Sequence, residues 1–261
     1  LNTPMEHASA QVFLRVLHDA LFGIRGGSHL LLPQTDLTAL FPDPAAHWLV
    51  QHGANVHTGQ RVERLNWQDG KWHINGQAFE RAILATSASN SAKTLMECAR
   101  TAPKEIAKSM QLWVNAASAL RFESIATVYA WGAQARLPHP MLALRYTPDA
   151  PAQFVFDRGQ LGGPQGLLAF VVSASTGSRE VLETAVLQQA RDQLASLALP
   201  TLHNVQTVVE KRATFACTPG LVRPQQVIAP GLWAAGDYLA GPYPATLEGA
   251  VRSGWAAGFS A

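Results

Sequence analysis

Apolar residues return every three or four positions near the start of the chain. Val12 and Val16, then Phe13, Leu17 and Leu21, line one side of a predicted helix that Gly23 ends. Thr3 as cap, Pro4 in the first turn and Glu6 reaching back form its expected start. A second helix is expected from a cap at Asp43, with Pro44 behind it, to Gly53. Short strand-like runs follow at 55–58, 61–67 and 71–75, and Asn75-Gly76 is a hairpin signal leading to 77–80. RAILAT, at 81–86, is a continuous apolar run of the kind a buried strand shows. Helical periodicity covers 87–109 with a break at Pro103. Strands rich in Phe and Val are expected at 125–131, 141–146, 153–156 and 167–172, the material of an antiparallel sheet. A long helix is expected over 178–198 and a strand over 205–211.

The end of the chain, LWAAGDYLAGPYPATLEGAVRSGWAAGFSA, carries the most chemistry. An apolar run ends in Gly236 and Asp237, a proline-rich loop follows, and Thr246 opens a helix with small residues on one face. Asp237 can accept hydrogen bonds from sugar-like hydroxyls. The free N–H groups and positive dipole end near Ala245, Thr246 and Leu247 favour negative charge. A polyol and an anion held side by side are what a reduced flavin requires, although Asp237 also reads as a turn aspartate. Glu248 is explained by the helix dipole, and Gly249 and Gly254 by close packing on a cofactor domain.

Taken in order, LNTPMEHASAQVFLRVLHDALFG, FVFDRGQLGG, VSAS, EKRATFACTPGLVRP and GDYLAGPYPATLEGAVRSG resemble the squalene-associated FAD-dependent desaturases, the hydroxysqualene dehydroxylases. These belong to the flavin amine oxidase and phytoene desaturase superfamily. The resemblance implies an α/β fold with α+β character, of Rossmann-like flavoenzyme type, with an inserted antiparallel-sheet substrate domain. It implies FAD as cofactor, Val62 against the adenine through its backbone, and Thr86 near the phosphate end. Val62 reads equally as a core strand residue. By the same resemblance Lys211 and Arg212 approach the flavin or the pocket mouth, where a cation can stabilise reduced flavin or help a hydroxyl depart; a solvated charge pair is the alternative. Asp157 and Arg158 also match the family, with no chemical role assigned. Phe154, Phe156, Phe170, Trp131 and Tyr146 are expected to line an apolar channel.

No G-x-G-x-x-G occurs in the chain, and the glycine cluster at 159–166 reads as a turn. The chain is therefore expected to be the C-terminal part of a longer enzyme, inactive and with weak or absent FAD binding without its N-terminal Rossmann segment. The expected division is 1–100 as part of the FAD-binding domain with a leading helix, 101–203 as substrate domain and 204–261 as the closing FAD segment. The implied reaction is reductive dehydroxylation of hydroxysqualene to squalene. Alternatives are a flavin amine oxidase, a phytoene-type desaturase, or a non-catalytic fragment.

Composition adds mainly exclusions. A net charge of +2 with 15% charged residues gives no basic array for nucleic acid. No run reaches the roughly 20 apolar residues of a membrane span. Cys98 and Cys217 have neither metal nor redox spacing, and the nine histidines are scattered. No metal is expected. The location expected is the cytoplasm, with transient membrane contact to collect a lipidic isoprenoid substrate.

Overall fold

The structure is a computed structural model that describes residues 2–260. Helix α1 spans Ala10–Leu17 and widens into a π turn at His18–Gly23. Its cap is Ser9, whose hydroxyl accepts from the Val12 N–H, and not Thr3 as expected. The Thr3 hydroxyl is buried and accepts from the Cys217 N–H at 3.0 Å, a long-range partner that no local pattern signals. Two helices follow, α2 (Leu37–Leu40) and α3 (Pro42–Gln51). Phe41 is the residue before α3, and Asp43, expected as cap, lies inside its first turn. Pro42 sets the start earlier because its fixed φ suits the first helical position.

Strands β1 (Leu65–Gln68), β2 (Lys71–Ile74) and β3 (Gln77–Phe79) form an antiparallel meander. Asn75 and Gly76, at φ 50° and 88°, make the expected tight turn. The strands expected at 55–58 and 61–64 are absent. A side chain holds that segment instead: Asn75 Oδ1 accepts from Glu63 and Arg64 N–H at 2.9 and 3.1 Å, and Nδ2 donates to Arg61 C=O at 2.9 Å. Strand β4 is Ala82–Leu84, and helices α4 (Ala88–Ala99) and α5 (Lys104–Ser118) are broken at Pro103 as expected. Leu95, Met110 and Trp113 of this helix pair join Trp72 in one core.

The middle of the chain is one five-stranded antiparallel sheet, ordered β6-β7-β8-β5-β9. Its strands are β5 (Phe122–Trp131), β6 (Met141–Ala143), β7 (Phe154–Asp157), β8 (Leu167–Ser173) and β9 (His203–Phe215). Alternation places Val128, Val155, Leu168 and Phe170 on one face, packed against Leu182, Val186 and Ala190 of α6 (Arg179–Gln193). Helix α6 stops earlier than 198, giving way to a 3-10 turn at Ala195–Leu197 and a left-handed Ala198 at φ 47°. Gln189 clips the returning loop by accepting from Ala152 N–H and donating to Ala152 C=O, each at 2.8 Å.

Asp157 has a structural explanation. Its buried carboxylate accepts from the Leu137 and Gln160 N–H groups and from Gln160 Nε2. The glycine-rich run behind it is a turn, with Gly162 left-handed at φ 78°.

The chain closes with β10 (Val227–Ala229), β11 (Leu232–Ala234) and α7 (Leu247–Ser260). Strand β11 pairs in parallel with β4, Trp233 opposite Ile83, and antiparallel with β10. This small parallel pair belongs to the core of Trp72, Trp113 and Phe215. The boundary expected at 203/204 thus falls at the head of β9, whose pairing lies wholly in the middle sheet.

Candidate functional site

Parallel strands bring their carboxyl ends to one edge, where the chains diverge and leave room for a ligand. Here β4 leads to Thr86 and β11 to Gly236 and Asp237, with Ala235 N–H extending the pairing to Leu84 C=O at 3.0 Å. The Asp237 carboxylate is half-buried, and burial pushes its pKa up against the lowering effect of the neighbouring N–H groups of Asp237 and Tyr238. It makes no salt bridge among the described residues.

The loop after Asp237 returns to it, Ala245 N–H donating to Asp237 C=O at 3.2 Å with Ala245 left-handed at φ 55°. Thr246 then caps α7: its hydroxyl accepts from Gly249 N–H at 3.0 Å and donates to Tyr243 C=O at 2.9 Å. The N–H groups of Thr246, Leu247 and Glu248 have no acceptor among the described residues. An acceptor for hydroxyls and a set of free donors therefore stand at opposite ends of one short loop.

Several residues that hold this loop carry no sequence signal. Arg223 donates to the carbonyls of Leu239 (2.6 Å) and Gly241, and burial lowers its pKa. Ser253 on α7 accepts from Gly236 N–H at 2.9 Å. Tyr243 lies between two guanidiniums, Arg15 at 5.0 Å and Arg252 at 4.7 Å from its ring centre, and Arg15 also donates to its hydroxyl. Arg15, Gly27, Tyr243 and Thr246 border a cavity of about 290 Å³ between α1 and the loop. Glycine is needed at 236, where a Cβ would lie 2.4 Å from the Tyr238 ring, and at 249, where it would lie 2.1 Å from Tyr243 C=O. Gly254, expected to permit close packing, faces open space.

A larger cavity, about 620 Å³, joins Thr86 to Val62 and to Arg61, Asn90 and Lys93. Val62 is exposed, and neither of its backbone groups is hydrogen-bonded among the described residues. Thr86, Gly236, Asp237, Ala245, Thr246 and Leu247 are therefore gathered at one edge, with Val62 across the groove from Thr86. Lys211 and Arg212 are apart from them. They are exposed on a bulge of β9, where 211–213 face the single residue Ser124, and Arg212 borders a different cavity with Ser89 and Met96. Phe170, expected in a channel, is buried against α6 instead.

The donor set fits part of a flavin. Asp237 has lone pairs to spare for a polyol, the start of α7 has donors for an electron-rich ring, and Val62 has a free backbone edge. The sequence has no glycine-rich loop for a pyrophosphate. Among the described residues no group of His, Cys, Asp and Glu is arranged to hold a metal, and no helix is long and apolar enough to cross a membrane.

The model of the family described as flavin containing amine oxidoreductase matches residues 17–257. No curated protein matches the chain. Solved structures with the same fold include an oxidoreductase from Methanosarcina mazei, at 16% identity and TM-score 0.59, covering 82% of this chain and 52% of that one. A reduced UDP-galactopyranose mutase matches at 14% identity and TM-score 0.56 over 79% of this chain and 46% of its own. A Pyrococcus furiosus protein matches at 10% and 0.57, over 98% and 67%. The chain thus spans about half the length of the first two relatives. The family match over most of the sequence and the mixed α/β fold place the chain among the flavin containing amine oxidoreductases, enzymes whose cofactor is FAD.

Proposed function

We propose that this chain provides the flavin-ring half of the cofactor site and the substrate sheet of an oxidoreductase acting on an isoprenoid lipid, by reductive dehydroxylation of hydroxysqualene to squalene. The observation that carries this reading is the sheet face opposite α6. Register puts Thr127, Tyr129, Phe154, Phe156, Val171 and Val208 on that face, all half-buried or exposed. An apolar floor without a charge at its centre suits a hydrocarbon chain and keeps water from a cationic reacting centre. Transient membrane contact follows from the lipid character of such a substrate.

Bound FAD supplies the two-electron chemistry. The chain's part is to bind and orient. Asp237 would accept from the polyol, the free N–H groups of Thr246 and Leu247 would face the ring with Ala245 shaping the turn before them, and Thr86 and the Val62 backbone would serve the nucleotide end. Lys211 and Arg212, at the edge of the substrate sheet, are the cations proposed to help a hydroxyl depart. In this organisation, parts of 1–100 and of 204–261 make the cofactor layer, with the substrate unit inserted between them. A Rossmann segment bearing a glycine-rich loop is the proposed companion. The exposed Ile83 on β4 and the exposed stripe Leu247, Val251, Trp255 and Phe259 along α7 support a βα unit seated there.

An amine substrate is disfavoured by the tyrosines of the closing motif. Tyr238 is buried edge-on to Trp113, and Tyr243 is held between two arginines, so neither forms an aromatic wall for an amine. The test is anaerobic incubation of the chain, joined to a glycine-loop Rossmann segment, with reduced FAD and hydroxysqualene, followed by product identification. Squalene is expected. Its absence despite bound, reducible flavin overturns the reading in favour of desaturase or amine substrates. Without the added segment the chain is expected to retain no stoichiometric FAD, so a yellow purified chain contradicts that part.

A further inference from the structure

Tyr238 follows Asp237 directly, yet its side chain turns away from the ligand edge into the core, where it is 3% exposed. The turn is possible because Gly236 has no Cβ, which would otherwise lie 2.4 Å from the ring. The phenol donates to Thr86 C=O at 3.1 Å and meets the Ser91 hydroxyl at 3.4 Å, and Ser91, itself fully buried, bonds Thr86 Oγ1 at 2.8 Å. One hydroxyl therefore ties the chain leaving β11 to the chain leaving β4, across 152 positions of sequence. Asp237 is the residue next to Tyr238 in the chain, so the bond that holds Tyr238 also holds the backbone that carries the carboxylate. A buried phenol costs free energy unless it is satisfied, and this one is satisfied only while the two carboxyl ends keep their present spacing.

We infer that Tyr238 is a positioning residue: through Thr86 and Ser91 it fixes where the Asp237 carboxylate stands, and so sets the affinity for the polyol chain of the flavin without touching it. The inference rests on the proposed contact between Asp237 and that polyol. Its chemistry gives a selective consequence. FAD carries the polyol, whereas lumiflavin has the same ring with a methyl group in place of the chain. Disturbing Asp237 weakens the first ligand and leaves the second alone, which a general loss of packing does not do.

The test compares Tyr238→Phe, which keeps the ring and removes the hydroxyl, with Asp237→Ala and wild type. The protein is the chain joined to its proposed Rossmann segment, and flavin fluorescence reads binding of FAD and of lumiflavin. Amide hydrogen exchange at Ala235 and Gly236, whose N–H groups bond Leu84 C=O and Ser253 Oγ just before Asp237, is followed in parallel. Tyr238→Phe is expected to weaken FAD about tenfold, the worth of one net hydrogen bond, with lumiflavin binding unchanged and both amides exchanging about tenfold faster. Equal losses for the two ligands, or exchange at the wild-type rate, overturn the positioning role. If Asp237→Ala leaves FAD affinity intact, the polyol contact itself fails. If the protein binds neither flavin, the exchange rates alone decide whether Tyr238 fixes Asp237.

Discussion

Helix α7 contains glycines at 249, 254 and 258, and the structure gives two of them opposite signs on replacement by alanine. At 254 a new Cβ meets nothing within 4 Å. Gly254→Ala then gains only the helix propensity difference, up to about 1 kcal/mol. At 249 the Cβ would stand 2.1 Å from Tyr243 C=O, against ordinary contact from 3.4 Å, so the carbonyl must retreat by about 1.3 Å. It cannot do so freely, because it accepts the Thr246 hydroxyl and its own ring lies between Arg15 and Arg252. Overpacking of this kind costs about 1–3 kcal/mol, and loss of the Thr246 bond adds about 1 kcal/mol. Subtracting the propensity gain leaves Gly249→Ala less stable by about 1–3 kcal/mol. Urea and thermal unfolding of the chain, followed by circular dichroism, measure both. For a chain of this size the shifts are about 2–4 °C per kcal/mol, upward for Gly254→Ala and downward for Gly249→Ala. Two shifts of the same sign would refute the reasoning about the loop.

Thr207 has a buried hydroxyl with no hydrogen-bond partner among the described residues, and Thr207→Val keeps the shape while removing the penalty, so unfolding free energy should rise by about 1 kcal/mol; a loss on urea denaturation refutes this. Asp157→Ala strips the acceptor from three buried or half-buried donors and should cost about 2–4 kcal/mol, read from the same denaturation midpoint. Burial raises the Asp237 pKa, so the folded state holds its proton more tightly than the unfolded chain does. The stability this group contributes is full below the unfolded carboxylate value and is lost as pH rises through the higher folded value. Asp237→Asn should therefore flatten the stability profile across that window, and a steeper profile in the variant would contradict the burial argument.

Long periodic segments were legible in the sequence. Helix α4, strands β5 and β8, the Asn75-Gly76 turn and the Thr246 cap lie where their patterns put them, because each is decided by neighbours within a few positions, whereas α5 runs to Ser118, past the end expected at 109. The misplacements share a cause. Thr3 looks like a cap, yet its hydroxyl is used by Cys217. Residues 61–64 have the alternation of a strand, yet the Asn75 side chain holds them. Strand propensity reports fitness for a pleated, half-buried surface and cannot supply the partner. Of the candidate site, Gly236, Asp237 and Thr246 were visible because turn and cap chemistry is local. Arg223, Tyr238 and Ser253 were not, since each acts on backbone that only the tertiary fold brings near.

The layout of the sheets explains why this site depends on so much of the chain. Parallel pairing of β4 with β11 requires a long crossover, and the five-stranded sheet is built within it. The two layers are not joined by a free linker. Phe215, the last residue of β9, pairs with Phe122 at the start of β5 and is buried among Trp113, Leu232 and Tyr238 of the core around the parallel pair. The next residue, Ala216, donates to Arg121 C=O at 2.8 Å. The five-stranded sheet therefore grows out of the same core that seats Tyr238, so the position of the sheet and the position of Asp237 are set by one packed cluster. A close-packed core transmits displacement because it has little free volume to absorb it. On the proposed function, this shared core is what would hold a hydrocarbon chain in register with a flavin ring, with the loops at the carboxyl edge left to carry the ligand contacts.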